Sequence, residues 1–227
     1  MKKLSNTATR IITATMMFLV FAGCVTIDIF YKNIYAVRWL FVAIMSGAII
    51  EMIVRIINVK RDNFRRNGFL YITFLAWLFL MLASAYYVGL KPEILIFALI
   101  VIASADIGAW FFGKLFGGDK MWERLSAHKT WAGQIGGIIC GTFILVFYGL
   151  LVADKFNPYI FWQGLGISLL SQYGDLTASF IKRKMGIKDF SHILPGHGGI
   201  LDRFDGWIYV LPLLWLILNS LKECKCI

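Results

Sequence analysis

Long apolar runs alternate with short polar ones along the whole chain. Runs of about 20 apolar residues recur near 11–30, 34–57, 68–90, 94–112, 133–152, 159–178 and 199–221. A helix needs about 20 residues to cross a hydrocarbon core ~30 Å thick. Lipid offers the backbone no hydrogen-bond partner, so each crossing must satisfy itself as helix. The pattern therefore predicts an all-α, polytopic integral membrane protein with about seven transmembrane helices. The last run is entered through Pro195-Gly196-His197-Gly198-Gly199, which predicts a broken or re-entrant segment near 193–206. Residues 154–158 should turn the chain between the fifth and sixth spans. Two regions follow: an N-terminal membrane region of three spans, 1–93, and a C-terminal membrane region of four spans and two cytoplasmic polar loops, 94–227, where any chemistry is expected. The first run follows a basic leader but is long and lacks a small-x-small cleavage site, so it is expected to be retained as a span.

Composition agrees with this picture. Hydrophobic residues make up 59% of the 227 and mean hydropathy is +0.72, against about 45–50% apolar in soluble chains. No separate soluble domain fits. The net charge is +10. With the N-terminus in the cytoplasm and spans alternating, 17 of the 23 Lys and Arg residues fall on the cytoplasmic side and 6 on the other, as the positive-inside rule asks. The excess also favours anionic lipid. No long basic segment is free of the bilayer, which argues against nucleic acid. Cys24 and Cys140 lie in apolar runs and Cys224 and Cys226 in the tail, with no CxxC; a zinc site or disulfide framework is not expected.

The polar residues worth weighing are those that apolar surroundings make costly. Asp106, Asp175, Asp202 and Asp205 lie in or beside apolar runs, where a charge needs a cavity or a partner. Asp202 and Asp205 are three apart at the expected start of the last helix, so they share a side. One or two carboxylates plus phosphate oxygens suit Mg2+, and Asp175 and Asp202 could share such an ion. The competing assignment is ion pairing, of Asp202 or Asp205 with Arg203 and of Asp175 with Lys182. Lys182, Arg183 and Lys188 could neutralise a triphosphate, or form a positive-inside loop together with Lys184. Gly196, Gly198 and Gly199 allow close backbone approach, and a helix opened by them would offer free N–H groups to an anion; the alternative is a helix break that holds nothing. His197 could donate to a phosphate. In the other polar loop Ser126, Lys129 and Thr130 could cap the following span or hold a lipid phosphate. Trp110, Trp122 and Trp131 suit an interfacial belt, and Gly133, Gly136, Gly137 and Gly141 suit close helix packing. Glu51 and Arg55, four apart, share a helix face.

From Ser179 to Asp205 these residues fill a pattern, S-x-x-K-R-x4-K-D-x5-P-x-H-G-G-x-x-D-R-x-D. It is filled by Ser179, Lys182, Arg183, Lys188, Asp189, Pro195, His197, Gly198, Gly199, Asp202, Arg203 and Asp205. The stretch resembles the signature of the CDP-diacylglycerol synthases, or phosphatidate cytidylyltransferases. Gly174-Asp175-Leu176 matches as well, as does a D-x-x-A-aromatic-x-x-G segment at Asp106, Ala109, Trp110 and Gly113. A further segment, S-P-x-K-T-W-E-G in the family, is present at Ser126–Gly133 with Ala127 for proline and Ala132 for glutamate. The resemblance covers roughly 100–215.

The resemblance implies a multi-pass enzyme of a bacterial-type inner membrane, its site facing the cytoplasm, that joins CTP and phosphatidate into CDP-diacylglycerol and pyrophosphate. It implies Mg2+, with K+ beside it, at Asp175 and Asp202. Asp175, Asp202, Asp205, Lys182, Arg183 and His197 would be catalytic. Lys188, Asp189, Gly198, Gly199, Arg203, Ser179, Lys129, Thr130 and Asp106 would bind substrate. A homodimer is admitted. Three other readings compete: a CTP-dependent kinase of an isoprenoid alcohol, a membrane transporter using its buried aspartates, and an inactive scaffold, since Ala132 stands where the family has a glutamate carboxylate.

Overall fold

A computed structural model of the chain describes residues 6–31, 34–122, 126–153 and 158–223. The expected turn at 154–157 and the tail cysteines Cys224 and Cys226 lie outside the described residues, as does the side chain of Ser126. Seven helices appear among them: α1 Asn6–Phe30, α2 Ala36–Asn58, α3 Arg61–Val88, α4 Pro92–Phe116, α5 Trp131–Ala153, α6 Pro158–Met185 and α7 Trp207–Glu223. A hairpin of two short strands, β1 Lys120–Trp122 and β2 Ser126–Thr130, joins α4 to α5.

Helices α1 to α5 are long and apolar enough to cross a membrane. The all-α polytopic reading holds on these helices; seven crossings are not established. Helix α6 has the length, at 28 residues, but carries Gln172, Asp175 and the Lys182-Arg183-Lys184 run. Helix α7 is apolar but only 17 residues long. Its start also corrects the expected boundary. The last helix begins at Trp207, not near 199, because residues 195–206 fold as consecutive turns. The expected break near 193–206 is therefore a non-helical connection between α6 and α7.

Polar groups at one end of the bundle tie successive helices together. At the C-terminus of α2 Arg55 donates through Nε to the carbonyl of Phe190. At the start of α3 Asn63 donates to the carbonyl of Lys184 at 2.9 Å. Near the start of α1 Arg10 and Thr13 donate to the carbonyls of Gly196 and Pro195 at 3.1 and 2.9 Å. The N-terminus of α1, the C-terminus of α2, the N-terminus of α3, the C-terminus of α6 and the loop before α7 thus meet at one face. At the opposite end Asp28, on α1, accepts the amides of Ala36 and Val37 at 2.5 and 3.0 Å and so caps α2 from outside it. The core runs through α2, α3, α4, α6 and α7 and includes Phe41, Met45, Tyr71, Leu78, Phe190, Leu201 and Ile208.

The glycines of α5 do pack closely, as their spacing suggests. A Cβ on Gly133 would come within 2.7 Å of the Ala109 carbonyl of α4. One on Gly141 would run into the Ser168 hydroxyl of α6.

Candidate active site

A cavity of about 530 Å3 opens between α4, the hairpin, α5, α6 and the loop before α7. Each element brings a short polar set to it. Helix α4 supplies Asp106 and Trp110; the end of β2 supplies Lys129 and Thr130; α5 supplies Gln134; α6 supplies Gln172, Asp175 and Lys182; the loop supplies Asp189, Asp202, Arg203 and Asp205. Local structure explains several of these positions. Thr130 Oγ1 accepts the amide of Gly133 at 3.1 Å, an N-cap that fixes where β2 ends and α5 begins. Gln172 donates to the carbonyl of Gln134 at 3.2 Å, joining α6 to α5 at the cavity floor.

Two ion pairs dominate the electrostatics. Lys129 Nζ lies 2.5 Å from Asp175 Oδ2, and the two side chains are 26% and 37% exposed. Lys182 Nζ lies 2.8 Å from Asp202 Oδ1, with side chains 11% and 5% exposed. These are not the pairs that sequence separation suggests. Asp175 is paired with Lys129 rather than Lys182, and Arg203 donates to the carbonyl of His197 at 2.7 Å rather than to a neighbouring aspartate. Asp205, in the turn before α7, accepts the amide of Gly206 at 2.9 Å. Burial first, then the nearby carboxylates of Asp175 and Asp106, push its acid well above the ordinary range, with Lys182 and Lys129 opposing.

The glycine turn differs from its expected form. Gly196 and Gly198 do adopt positive φ, 75° and 88°, but no helix opens there. The amides that would meet an anion are already given to carboxylates. Asp202 Oδ2 accepts Phe190 N at 2.8 Å and Gly199 N at 3.0 Å. Glu51 of α2 accepts Ile200 N and Leu201 N, both at 2.8 Å, and the Ser191 hydroxyl. A carboxylate fills the place an anionic ligand would take.

Nine of the fifteen residues singled out in the sequence line the cavity: Asp106, Lys129, Thr130, Asp175, Lys182, Asp189, Asp202, Arg203 and Asp205. Ser179 stands behind it, its hydroxyl 3.4 Å from Asp175 Oδ1. Arg183 and Lys188 are exposed, and Arg183 donates to the carbonyl of Ile187 at 3.2 Å. His197, Gly198 and Gly199 belong to the loop but not to the cavity wall, and the buried His197 Nδ1 has no hydrogen-bond partner. Sequence reasoning missed Gln134 and Gln172. Their signal was a polar amide amid apolar helix. It also missed what Glu51 does, although an acidic residue inside a span was visible.

The donor chemistry suits a hard divalent cation, because the described residues of the cavity lining offer carboxylate, amide and hydroxyl oxygens and neither thiol nor imidazole. Among the described residues no three His, Cys, Asp or Glu side chains stand together as a ready metal cage. Asp175 Oδ1 has only the weak contact with Ser179, and so has capacity to spare. Asp202 has both oxygens engaged, by Lys182 and by two amides. A cation at Asp202 would have to share its Oδ1 with Lys182.

Residues 92–221 match the family described as the cytidylyltransferase family. The chain belongs to the cytidylyltransferase family. The matched residues run from α4 to α7 and include every residue that lines the cavity. Among curated relatives, phosphatidate cytidylyltransferases of Staphylococcus aureus strain COL and of Staphylococcus saprophyticus are each 44% identical over 128 residues, 55% of this chain and 48% of theirs. One from Staphylococcus haemolyticus is 42% identical over 125 residues, with the same coverage of each chain. The chain thus spans about half the length of the curated relatives it matches.

Proposed function

We propose that this cytidylyltransferase joins CTP to phosphatidate at the cytoplasmic face of a bacterial inner membrane, giving CDP-diacylglycerol and pyrophosphate. The observation that carries the reading is the 530 Å3 cavity, where the family-matched carboxylates and lysines of four separate elements converge. In this reaction a phosphate oxygen of the lipid attacks the α-phosphorus of CTP. The bond from that phosphorus to the β-phosphate oxygen breaks, and pyrophosphate leaves with the electron pair. A phosphate nucleophile is already ionised, so no general base is needed. The obstacle is repulsion between two anions, and it is met by positioning and charge neutralisation.

Lys129 and Lys182 bring ammonium groups to the cavity wall, each held by one aspartate. A bound phosphate competes with that aspartate for the ammonium, so each lysine can pass to substrate without crossing the cavity. Arg203 offers the donors it does not spend on His197. Asp175 and Asp202 are the residues that would hold Mg2+, which when bound would supply positive charge to stabilise the leaving pyrophosphate. Thr130 caps α5 and keeps Lys129 against Asp175. The 17 cationic residues assigned to one side and the ties among helix ends support placing this face in the cytoplasm.

A second cavity supports the lipid half of the reading. It measures about 800 Å3, is lined by apolar side chains of α1 and α2 with Leu99 of α4, and is closed by Leu194, Pro195, Ile200 and Phe204. The same loop thus turns its carboxylates to the polar cavity and its apolar residues to this one, as a head group and its acyl chains require.

The test uses purified protein, phosphatidate in mixed micelles, and CTP labelled at either the α- or the γ-phosphate, with and without Mg2+. The α-label is expected in the chloroform-soluble product, and only with the metal. The γ-label in lipid would mean a kinase instead, and label in neither would overturn the reading.

A further inference from the structure

Gly47, Glu51 and Arg55 stand at i, i+4 and i+8 on α2 and form one stripe along it. The loop before α7 lies on this stripe at three levels. A Cβ on Gly47 would come within 2.7 Å of Ile200 Cδ1, so the missing side chain makes room for that residue. Glu51, 3% exposed, accepts Ile200 N, Leu201 N and the Ser191 hydroxyl. Arg55 donates to the Phe190 carbonyl. The fit is close from the loop side too: a Cβ on Gly199 would sit 2.9 Å from both Glu51 oxygens. A carboxylate this buried is costly unless its lone pairs are filled. Here loop donors fill them, and among the described residues no Lys, Arg or His forms a salt bridge with it. All three stripe residues lie outside the family-matched segment 92–221.

The stripe holds the residues on either side of the groups that position Asp202. Asp202 Oδ2 takes the amides of Phe190 and Gly199. Arg55 grips the same Phe190 from its carbonyl, and Glu51 grips the two residues after Gly199. Asp202 in turn holds Lys182. We propose that the Gly47–Glu51–Arg55 stripe of α2 is the template on which the 190–201 loop is set, and that Glu51 is a positioning residue for Asp202 and Lys182. The proposal deepens the functional reading above and rests on it wherever turnover is the readout. It makes the N-terminal region part of the site rather than an anchor for it. It also assigns Gly199 a physical task, contact with a buried carboxylate.

Hydrogen exchange and turnover, measured on the full chain in detergent, separate this from a merely stabilising role. Glu51→Gln keeps the volume but turns an amide toward N–H donors. Exchange in peptides spanning 190–206 is expected to rise at least about tenfold, since local opening sets the rate, while α3 to α6 exchange as in the wild type. CTP-dependent lipid labelling is expected to fall by about 10²-fold, the scale of a displaced catalytic group. Glu51→Asp, which keeps the charge but is one methylene short, should lie between. If Glu51→Gln fails to fold, Gly47→Leu decides. Leu is the better helix former, yet it pushes on Ile200, and it should loosen the same peptides and lower turnover. Unchanged exchange at 190–206, a uniform rise across the protein, or faster loop exchange with wild-type turnover would each overturn the template. Were the wild type itself to form no labelled lipid, the functional reading would fall, while the exchange measurement would still decide the template.

Discussion

Asp175 and Asp202 have the same standing in the sequence but different surroundings in the fold. Asp202 is nearly enclosed and uses both oxygens, on Lys182 and two amides. Asp175 is a third exposed, and its pair with Lys129 is open to water. Removing one partner of a buried pair costs about 3–5 kcal/mol, whereas an exposed pair contributes about 0–1 kcal/mol. Asp202→Asn should therefore lower the thermal midpoint markedly and abolish lipid labelling, because it strands the Lys182 ammonium. Asp175→Asn should abolish labelling with a midpoint close to wild type. The double change Lys182→Met with Asp202→Asn should regain much of the midpoint and none of the turnover. Thermal melts and labelling on the three proteins check this; equal midpoints for the two single variants would contradict it. The sequence made the convergence of these charges legible, because a carboxylate beside an apolar run must have a reason to be there. It did not make the pairing legible. Lys129 meets Asp175 across 46 positions and a hairpin, and no local periodicity carries that information.

Helices were the legible elements, since lipid enforces backbone self-satisfaction and the apolar runs are long. The irregular elements were not. The loop at 190–206 is shaped by Glu51, more than 130 positions away, and the hairpin by a two-strand pairing with Trp131 N on the Asp119 carbonyl. Helix α7 shows how an element can need a partner for a purely local reason. Pro212 sits inside it and has no N–H to give to the carbonyl of Ile208, four residues before. That carbonyl accepts the indole N–H of Trp77, from α3, at 2.8 Å. The ring also lies against Tyr209, with centroids 5.5 Å apart. Trp77→Phe keeps an aromatic ring but leaves a buried carbonyl unpaired, at a cost of about 1–3 kcal/mol. A lowered melting midpoint is expected. Pairing it with Pro212→Ala, which restores the helical donor, should recover the loss. Trp77→Phe with an unchanged midpoint would show that Ile208 finds another partner.

At the scale of the molecule, one loop divides two unlike cavities. Asp202, Arg203 and Asp205 line the polar one, and Leu194, Pro195, Ile200 and Phe204 the apolar one. The apolar cavity takes its outer wall from α1, which has no fully buried residue among those described at 7–30 and is tied to the loop through Arg10 and Thr13. A wall so lightly packed can be altered with little effect on the fold. Met16 lines the cavity and is 62% exposed. Met16→Trp should fill part of the space, leave the melting midpoint near wild type, and leave the KM for CTP unchanged. If acyl chains occupy this cavity, the variant should discriminate by chain length. Labelling of a long-chain phosphatidate should fall by about tenfold, the scale set by one or two lost apolar contacts, while a short-chain phosphatidate that does not reach α1 is processed as by the wild type. Equal loss with both lipids would mean that Met16 acts on the loop through α1 rather than on the chain. No loss with either would take the acyl chains out of this cavity and return them to the bilayer between the helices.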